Sequence, residues 1–261
     1  MVERITGKTN GKLKLIRALS TKKGRQKSRM YFVEGIRMVN EAIEYRNDYI
    51  KFFLASETFC ENNTEFVSSL DEKGFSVYTA KDDLFNKVCN TVTPQGAAVV
   101  LEMPDNKIDV ESLSEDADFV LILDGIKEPG NLGTIIRTAE AAGVDAVYLI
   151  NGCADIYNPK AIRSTMGSIF RVKFEYLSDL ESVLTLKQRG FKIIASSLRD
   201  SVDTDEVGGF EKKALVIGSE AFGVSEDMLE LSDIKVKLKM HGRVESLNAA
   251  IAAAVLMYTI K

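Results

Sequence analysis

The sequence predicts an α/β protein with a parallel sheet, and three observations carry that class. Apolar runs too short for helices, such as Phe119–Leu123, stand between turn residues, as strands buried on both faces do. Segments with apolar side chains at helical spacing alternate with those runs through the C-terminal half. The composition is globular: 261 residues, 45% hydrophobic and 28% charged, with four prolines. Wholesale disorder is excluded, and one large or two modest domains are expected.

Taken in order, the first hundred residues read as a small α/β unit. Leu13, Ile16 and Leu19 predict an amphipathic first helix, and Tyr31–Glu44 keeps helical apolar spacing. Tyr49–Ala55, Phe75–Thr79 and Gly96–Glu102 read as strands, and Lys81–Val88 as a short helix. Residues 104–118 are acidic, include Pro104, Asp105 and Asn106, and make the best linker. The expected domains are therefore 1–103 and 119–261. Past the linker, Phe119–Leu123, Ala146–Ile150, Phe191–Ser196, Ala214–Ile217 and Ile234–Leu238 predict strands. Leu132–Gly143, Leu180–Arg189, Ser225–Leu231 and Leu247–Ile260 predict helices. Ala249–Tyr258 has no polar face, which predicts burial on every side, in the core or against another subunit.

The net charge of −4 hides an asymmetry. Residues 1–30 hold ten Lys and Arg against the single acid Glu3, so that segment carries +9 and the rest of the chain −13. A basic end on an acidic body fits a polyanion-binding arm. A solvated amphipathic helix fits equally well, and the two are compatible. Cys60, Cys89 and Cys153 are far apart and His241 is the only histidine, which excludes a zinc site at the usual Cys and His spacings. Sparse cysteines, no signal-peptide pattern and no apolar run of about 20 residues point to the cytoplasm and away from the membrane.

Several nucleotide-binding signatures are missing. There is no G-x-G-x-x-G between strand and helix and no G-x-S-x-G elbow. Gly7–Lys12 has the wrong glycine spacing for a phosphate loop. Three other glycine-rich turns each follow a predicted strand, where parallel sheets collect ligands. The first is Asp124–Gly133, with Asn131 as the expected N-cap and Arg137 off the apolar stripe. The second is Gly218–Gly223, in which two glycines bracket Glu220 and Phe222. The third is Leu238–Asn248, which opens the last helix with Ser246, Leu247 and Asn248. Taken singly, each has an ordinary reading as a cap or turn. Together they are more specific.

On these motifs the chain resembles the SpoU (TrmH) family of RNA ribose 2′-O-methyltransferases, in the wider SPOUT class. The Asn131…Arg137 pair, the G-S-E-x-x-G turn from Gly218 to Gly223, and Ser246-Leu247-Asn248 match its three motifs in order. Asn158–Ser168 resembles its basic segment, and Phe32-Val33-Glu34-Gly35 with Arg37 resembles the opening of its substrate-binding domain. Lys239 and Pro94 depart from residues common in the family, at positions without a presumed catalytic role.

The resemblance implies a C-terminal trefoil-knotted methyltransferase domain and a smaller N-terminal RNA-binding domain like ribosomal protein L30. It implies S-adenosylmethionine as cofactor, held near Ser197, Leu198, Gly218, Glu220, Gly223, Leu238, Met240, Ser246 and Leu247. Asn131, Arg137, Glu220, Ser246 and Asn248 would be catalytic, with no metal. Family accounts make Arg137 the base. A guanidinium with a pKa above ~12 is better suited to orienting ribose and phosphate. The implied partners are RNA, with 23S ribosomal RNA preferred, and a second copy of the chain. Transfer RNA as substrate, and a non-catalytic RNA-binding assembly factor, are the alternatives. An α/β oxidoreductase is disfavoured by the missing dinucleotide fingerprint.

Overall fold

The computed structural model describes residues 2–104 and 110–261. Its contacts divide the chain into two units. One runs to residue 104 and takes back Tyr157–Phe170; the other holds residues 110–156 and Arg171–Lys261.

In chain order the first unit contains β1 (Glu3–Ile5), α1 (Gly11–Leu19), α2 (Lys22–Ser28), β2 (Met30–Glu34), α3 (Ile36–Arg46) and β3 (Ile50–Ser56). It continues with α4 (Glu57–Asn62), α5 (Thr64–Glu72), β4 (Val77–Ala80), α6 (Asp82–Asn86) and β5 (Ala97–Glu102). Its sheet has the order β1-β4-β3-β5-β2. The first three of these strands are parallel, and β5 runs antiparallel to both its neighbours. Leu13, Ile16 and Leu19 of α1 are buried, in one core with Phe52, Leu54, Phe85 and Val100.

The helix expected over Tyr31–Glu44 is corrected at its start. Met30–Glu34 is a strand paired with β5, and Gly35, at φ +100°, turns the chain into α3. Tyr31, Phe32 and Val33 are aromatic or β-branched and suit a half-buried sheet surface. All three are buried, so neither ring is available to stack a base.

The second unit begins with β6 (Phe119–Asp124), α7 (Pro129–Ala141) and β7 (Ala146–Ile150). The chain then makes α8 (Pro159–Thr165), which groups with the first unit, where the Tyr157 ring lies 4.6 Å from that of Tyr31. It resumes with β8 (Phe174–Tyr176), α9 (Glu181–Gln188), β9 (Lys192–Ser196), β10 (Val202–Asp203) and β11 (Lys213–Gly218). α10 (Glu226–Leu231), β12 (Ile234–Lys237) and α11 (Ala249–Ile260) complete it. The sheet order is β10-β12-β9-β11-β6-β7-β8, and every pairing is parallel. All six residues of β6 are buried, as its unbroken apolar run requires. The strand order reverses at the β6–β11 pair, the kind of switch point where parallel sheets bind ligands.

Of the segment expected as a linker, residues 105–109 lie outside the described residues. Val110, Leu113 and Ala117 beyond them are buried in the second unit's core. The Arg189 guanidinium donates to the carbonyls of Val110, Glu111, Leu113 and Ser114, fastening that stretch. Within this chain α11 is buried on one side only. Its Leu256 and Met257 are buried, but Ile251, Val255 and Tyr258 are 54%, 42% and 64% exposed. One face packs inward and an apolar face is left uncovered within this chain. Among the described residues, no helix is long and apolar enough to cross a membrane, and no cluster of His, Cys, Asp and Glu could hold a metal ion. The three cysteines are unpaired; Cys153 is buried and the other two partly so.

Candidate active site

Short loops at the carboxyl ends of β9, β11 and β12 wall a cavity of about 930 Å³ within the second unit. Ser197, Leu198, Gly218, Glu220, Gly223, Leu238, Met240, Ser246, Leu247 and Asn248 all line it. These are every residue expected to touch cofactor, and three of the five expected to be catalytic. The turn after β11 closes on itself: Ser219 and Gly223 exchange backbone hydrogen bonds of 2.9 Å in both directions. Gly218 is required there, because a Cβ would come within 2.0 Å of the Gly223 carbonyl carbon and the Val224 nitrogen. The turn leaves the Phe222 ring almost fully exposed beside Glu220.

A chain of side-chain hydrogen bonds crosses the switch point. Asn248 Nδ2 donates to Asn131 Oδ1 at 3.1 Å, and Asn131 Nδ2 donates to Glu220 Oε1 at 2.7 Å. Asn131 thus reaches motifs 89 and 117 residues further along the chain, and the three meet through three side chains. Burial raises the Glu220 carboxyl, but hydrogen bonds from Asn131 and from the backbone of Glu220, Lys127 and Glu128 outweigh it and hold the group below the ordinary carboxylate range. Glu220 therefore stays ionised and acceptor-only, which fixes the Asn131 amide with its NH₂ toward Glu220 and its oxygen toward Asn248.

The N-cap assigned to Asn131 is corrected. Glu128 caps α7, its carboxylate accepting from the Asn131 N–H at 2.6 Å, with Pro129 at the first helical turn. This frees the Asn131 side chain for Glu220. Asn248 does cap α11, accepting from the N–H groups of Ala250 and Ile251, while its amide reaches Asn131. Arg137 lies on the exposed face of α7 and is not part of the cavity wall.

Sequence reasoning missed the supports beneath this chain. Asp124 ends β6 buried, accepting from Asn151 Nδ2 at 2.6 Å and from the Ser225 N–H at 2.7 Å. One carboxylate thus ties the loop after β7 to the end of the turn after β11. Lys127 Nζ donates to the carbonyls of Asn151 and Gly152 at 3.0 and 2.8 Å. The available signal was Asp124 itself, an acid closing an otherwise wholly apolar strand.

The comparisons with known proteins bear on this arrangement. Residues 118–258 match the model of the SpoU rRNA Methylase family. The chain belongs to that family. Residues 10–99 match the MRM3-like substrate binding domain. A Bacillus subtilis relative, named 23S rRNA (guanosine(2553)-2′-O)-methyltransferase RlmP, is 36% identical over 260 residues, the whole of both chains. The crystal structure of an AdoMet-bound rRNA methyltransferase from Sinorhizobium meliloti superposes with a TM-score of 0.88 at 25% identity, covering 99% of this chain and 97% of that one. A structure titled RNA 2′-O ribose methyltransferase gives 0.82 at 26% identity, covering 98% and 97%. The α/β fold is that of SpoU methyltransferases.

Proposed function

We propose that this chain transfers a methyl group from S-adenosylmethionine to a ribose 2′-hydroxyl of RNA, with 23S ribosomal RNA as substrate. The observation that carries the reading is the Asn248–Asn131–Glu220 chain at the edge of a glycine-bounded cavity. The wall suits the cofactor: Leu198, Ile217, Val236, Leu238 and Leu247 offer apolar surface for a purine and a methionine stem, and Ser197, Ser219, Glu220 and Ser246 offer polar groups beside them. The ionised Glu220 places a negative charge where a sulfonium would be stabilised.

Bound at this cavity, the cofactor would supply the electrophilic methyl carbon and a thioether leaving group, and the proton of the ribose hydroxyl would pass to water at the rim. The chain's own residues align the attacking oxygen. Asn131, held by Glu220 and Asn248, presents a fixed edge to the ribose, and Ser246 offers a hydroxyl at the same rim. Arg137 orients the ribose and holds the neighbouring phosphate through its fork of donors.

The knot of the SPOUT class, a homodimer and a cytoplasmic setting complete the reading. The exposed apolar face of α11, with Ile251, Val255 and Tyr258, supports the dimer as the surface a second copy would cover. Residues 1–103 serve as the RNA-binding domain and 119–261 as the methyltransferase domain, joined through 104–118, of which Val110, Leu113 and Ala117 pack into the second unit's core. The test is transfer of radiolabelled methyl from S-adenosylmethionine to undermodified total RNA separated by size. Label in the large ribosomal RNA at one alkali-resistant step is expected. Label in transfer RNA would replace the substrate, and cofactor binding without label in any RNA would overturn catalysis on free RNA.

A further inference from the structure

The cations of the first unit are not spread evenly. No Asp or Glu occurs between Glu3 and Glu34. Several of the cations in that stretch have partners within the chain, Arg17 among them, whose Nη1 donates to the Lys8 carbonyl at 3.1 Å and leaves the rest of its guanidinium outward. Arg4 pairs with Glu57 at 2.5 Å, Lys12 lies over the Phe52 and Tyr78 rings at 4.6 and 4.9 Å, and Arg25 is buried. Lys14 and Arg17 lie exposed on the side of α1 opposite Leu13, Ile16 and Leu19, and Lys22, Lys23 and Lys27 lie exposed on α2.

The two helices are locked together. A Cβ at Gly24 would come within 1.9 Å of the Ala18 carbonyl oxygen, so only glycine lets α2 approach so closely. Buried Arg25 donates from Nη1 to the Leu19 carbonyl at 2.8 Å, where α1 ends and its carbonyls lack helical partners. Thr21 closes the corner, accepting from the Gly24 N–H at 3.1 Å and donating to the Ala18 carbonyl at 3.0 Å. Flexible lysine stems are thereby mounted on a fixed frame.

We infer that the α1–α2 hairpin is a preorganised surface for the RNA phosphate backbone, with Lys14, Arg17, Lys22, Lys23 and Lys27 as its contacts. The inference rests on the reading of the chain as an RNA methyltransferase and deepens it. The hairpin positions RNA and does not read bases: its exposed contacts are cations, and the Tyr31 and Phe32 rings are buried. A backbone contact of this kind is sequence-independent and salt-sensitive, each neutralised phosphate adding about 0.7–0.9 to the log–log salt slope.

The test uses the full chain, filter binding to undermodified large-subunit ribosomal RNA between 50 and 200 mM salt, and methyl transfer by the same preparations. In the triple variant Lys22→Gln, Lys23→Gln, Lys27→Gln the slope should flatten by about 2–3. The affinity lost across that salt range should then shrink by roughly 20- to 40-fold. Binding to an unrelated RNA of equal length should change in parallel. Arg25→Met keeps every exposed cation but releases the frame, and should weaken binding to both RNAs. The substitutions of the triple variant sit at exposed positions, so its result stands even where Arg25→Met fails to fold. An unchanged slope in the triple variant overturns the hairpin, whether or not the wild type methylates RNA. A flattened slope beside a wild type that transfers no methyl sustains the hairpin and removes the catalytic reading instead.

Discussion

Gly24 in the first unit and Gly218 in the second are demanded by the same constraint and serve different ends. At each, a Cβ would meet main chain at 2.0 Å or less. At Gly218 the close approach shuts a turn at the end of a buried strand, and the shut turn walls a cavity. At Gly24 it seats one helix on another, and the helices carry cations outward. The second unit keeps its polar groups at the carboxyl ends of parallel strands, converging on one point. The first spreads its charge over the outer faces of helices. A converging set of groups can align a reaction, while a dispersed one can hold a polymer.

The hardest blow to that contrast is Arg137→Ala. If chemistry belongs to the second unit and backbone holding to the first, kcat should fall by about 10²–10³, as for loss of a transition-state contact. Cofactor affinity, read by calorimetry, should stay near wild type. The salt slope of RNA binding should change by no more than one phosphate contact. A larger flattening would make Arg137 part of the polymer-holding surface and dissolve the division.

The paired glycine variants come next. Gly218→Ala forces backbone apart and should cost about 1–3 kcal/mol at the cavity wall, roughly 5- to 150-fold in cofactor affinity. Gly24→Ala should leave cofactor affinity intact and weaken RNA binding. Loss of cofactor affinity in both, measured on folded protein, would show that the units are not separable in function.

How much of this was readable beforehand differs between the units for the same reason. Every strand named in the second half appears within a residue or so, because strands buried on both faces write themselves as continuous apolar runs. β8 and β10, of three and two residues, are too short to leave such a run. In the first unit β1, α2, α4, α5 and α8 have no predicted counterpart, and the helix predicted over Tyr31–Glu44 begins as a strand. The seven-residue α2 carries no apolar face, only an arginine turned inward. At the site, glycine spacing exposed the three turns but not their bonding. No local signal distinguishes an Asn131 that caps its own helix from one that reaches a carboxylate 89 residues away. The helix cap passed to Glu128, whose side chain can also accept from a first-turn N–H. Residues 157–170 group with the first unit although they interrupt the second, a return that no composition change announces.

Asp124→Ala probes that unread layer. It strips acceptors from Asn151 Nδ2 and the Ser225 N–H, both held by a buried carboxylate, and should cost about 1–3 kcal/mol. For a chain of this size that is a drop of roughly 2–4 °C in Tm per kcal/mol. KM for the cofactor should rise more than kcat falls, since the Gly218–Ser225 turn loses its tie while Asn131 keeps its own partners. An equal fall in both would assign Asp124 to stability alone.

The smallest effect expected belongs to Glu220, and its pH dependence gives it a direction. The hydrogen bonds it accepts favour the ionised form, so its pKa in the folded chain lies below the unfolded one. Its contribution is therefore fully present above the ordinary carboxylate range and is lost only as pH falls through the lower, folded value. Between pH 6 and 8 Glu220 should impose no slope on kcat/KM. Glu220→Gln leaves an acceptor for Asn131 but turns an NH₂ toward the Lys127 N–H. It should cost about 1 kcal/mol, toward the low end for a charged partner because the group is exposed and screened by water. That is a roughly fivefold loss in kcat/KM, constant across the neutral range, with the acid limb of the profile shifted. A loss that grew with pH between 6 and 8 would mean that Glu220 moves a proton during turnover. The Asn248–Asn131–Glu220 chain would then carry chemistry as well as position.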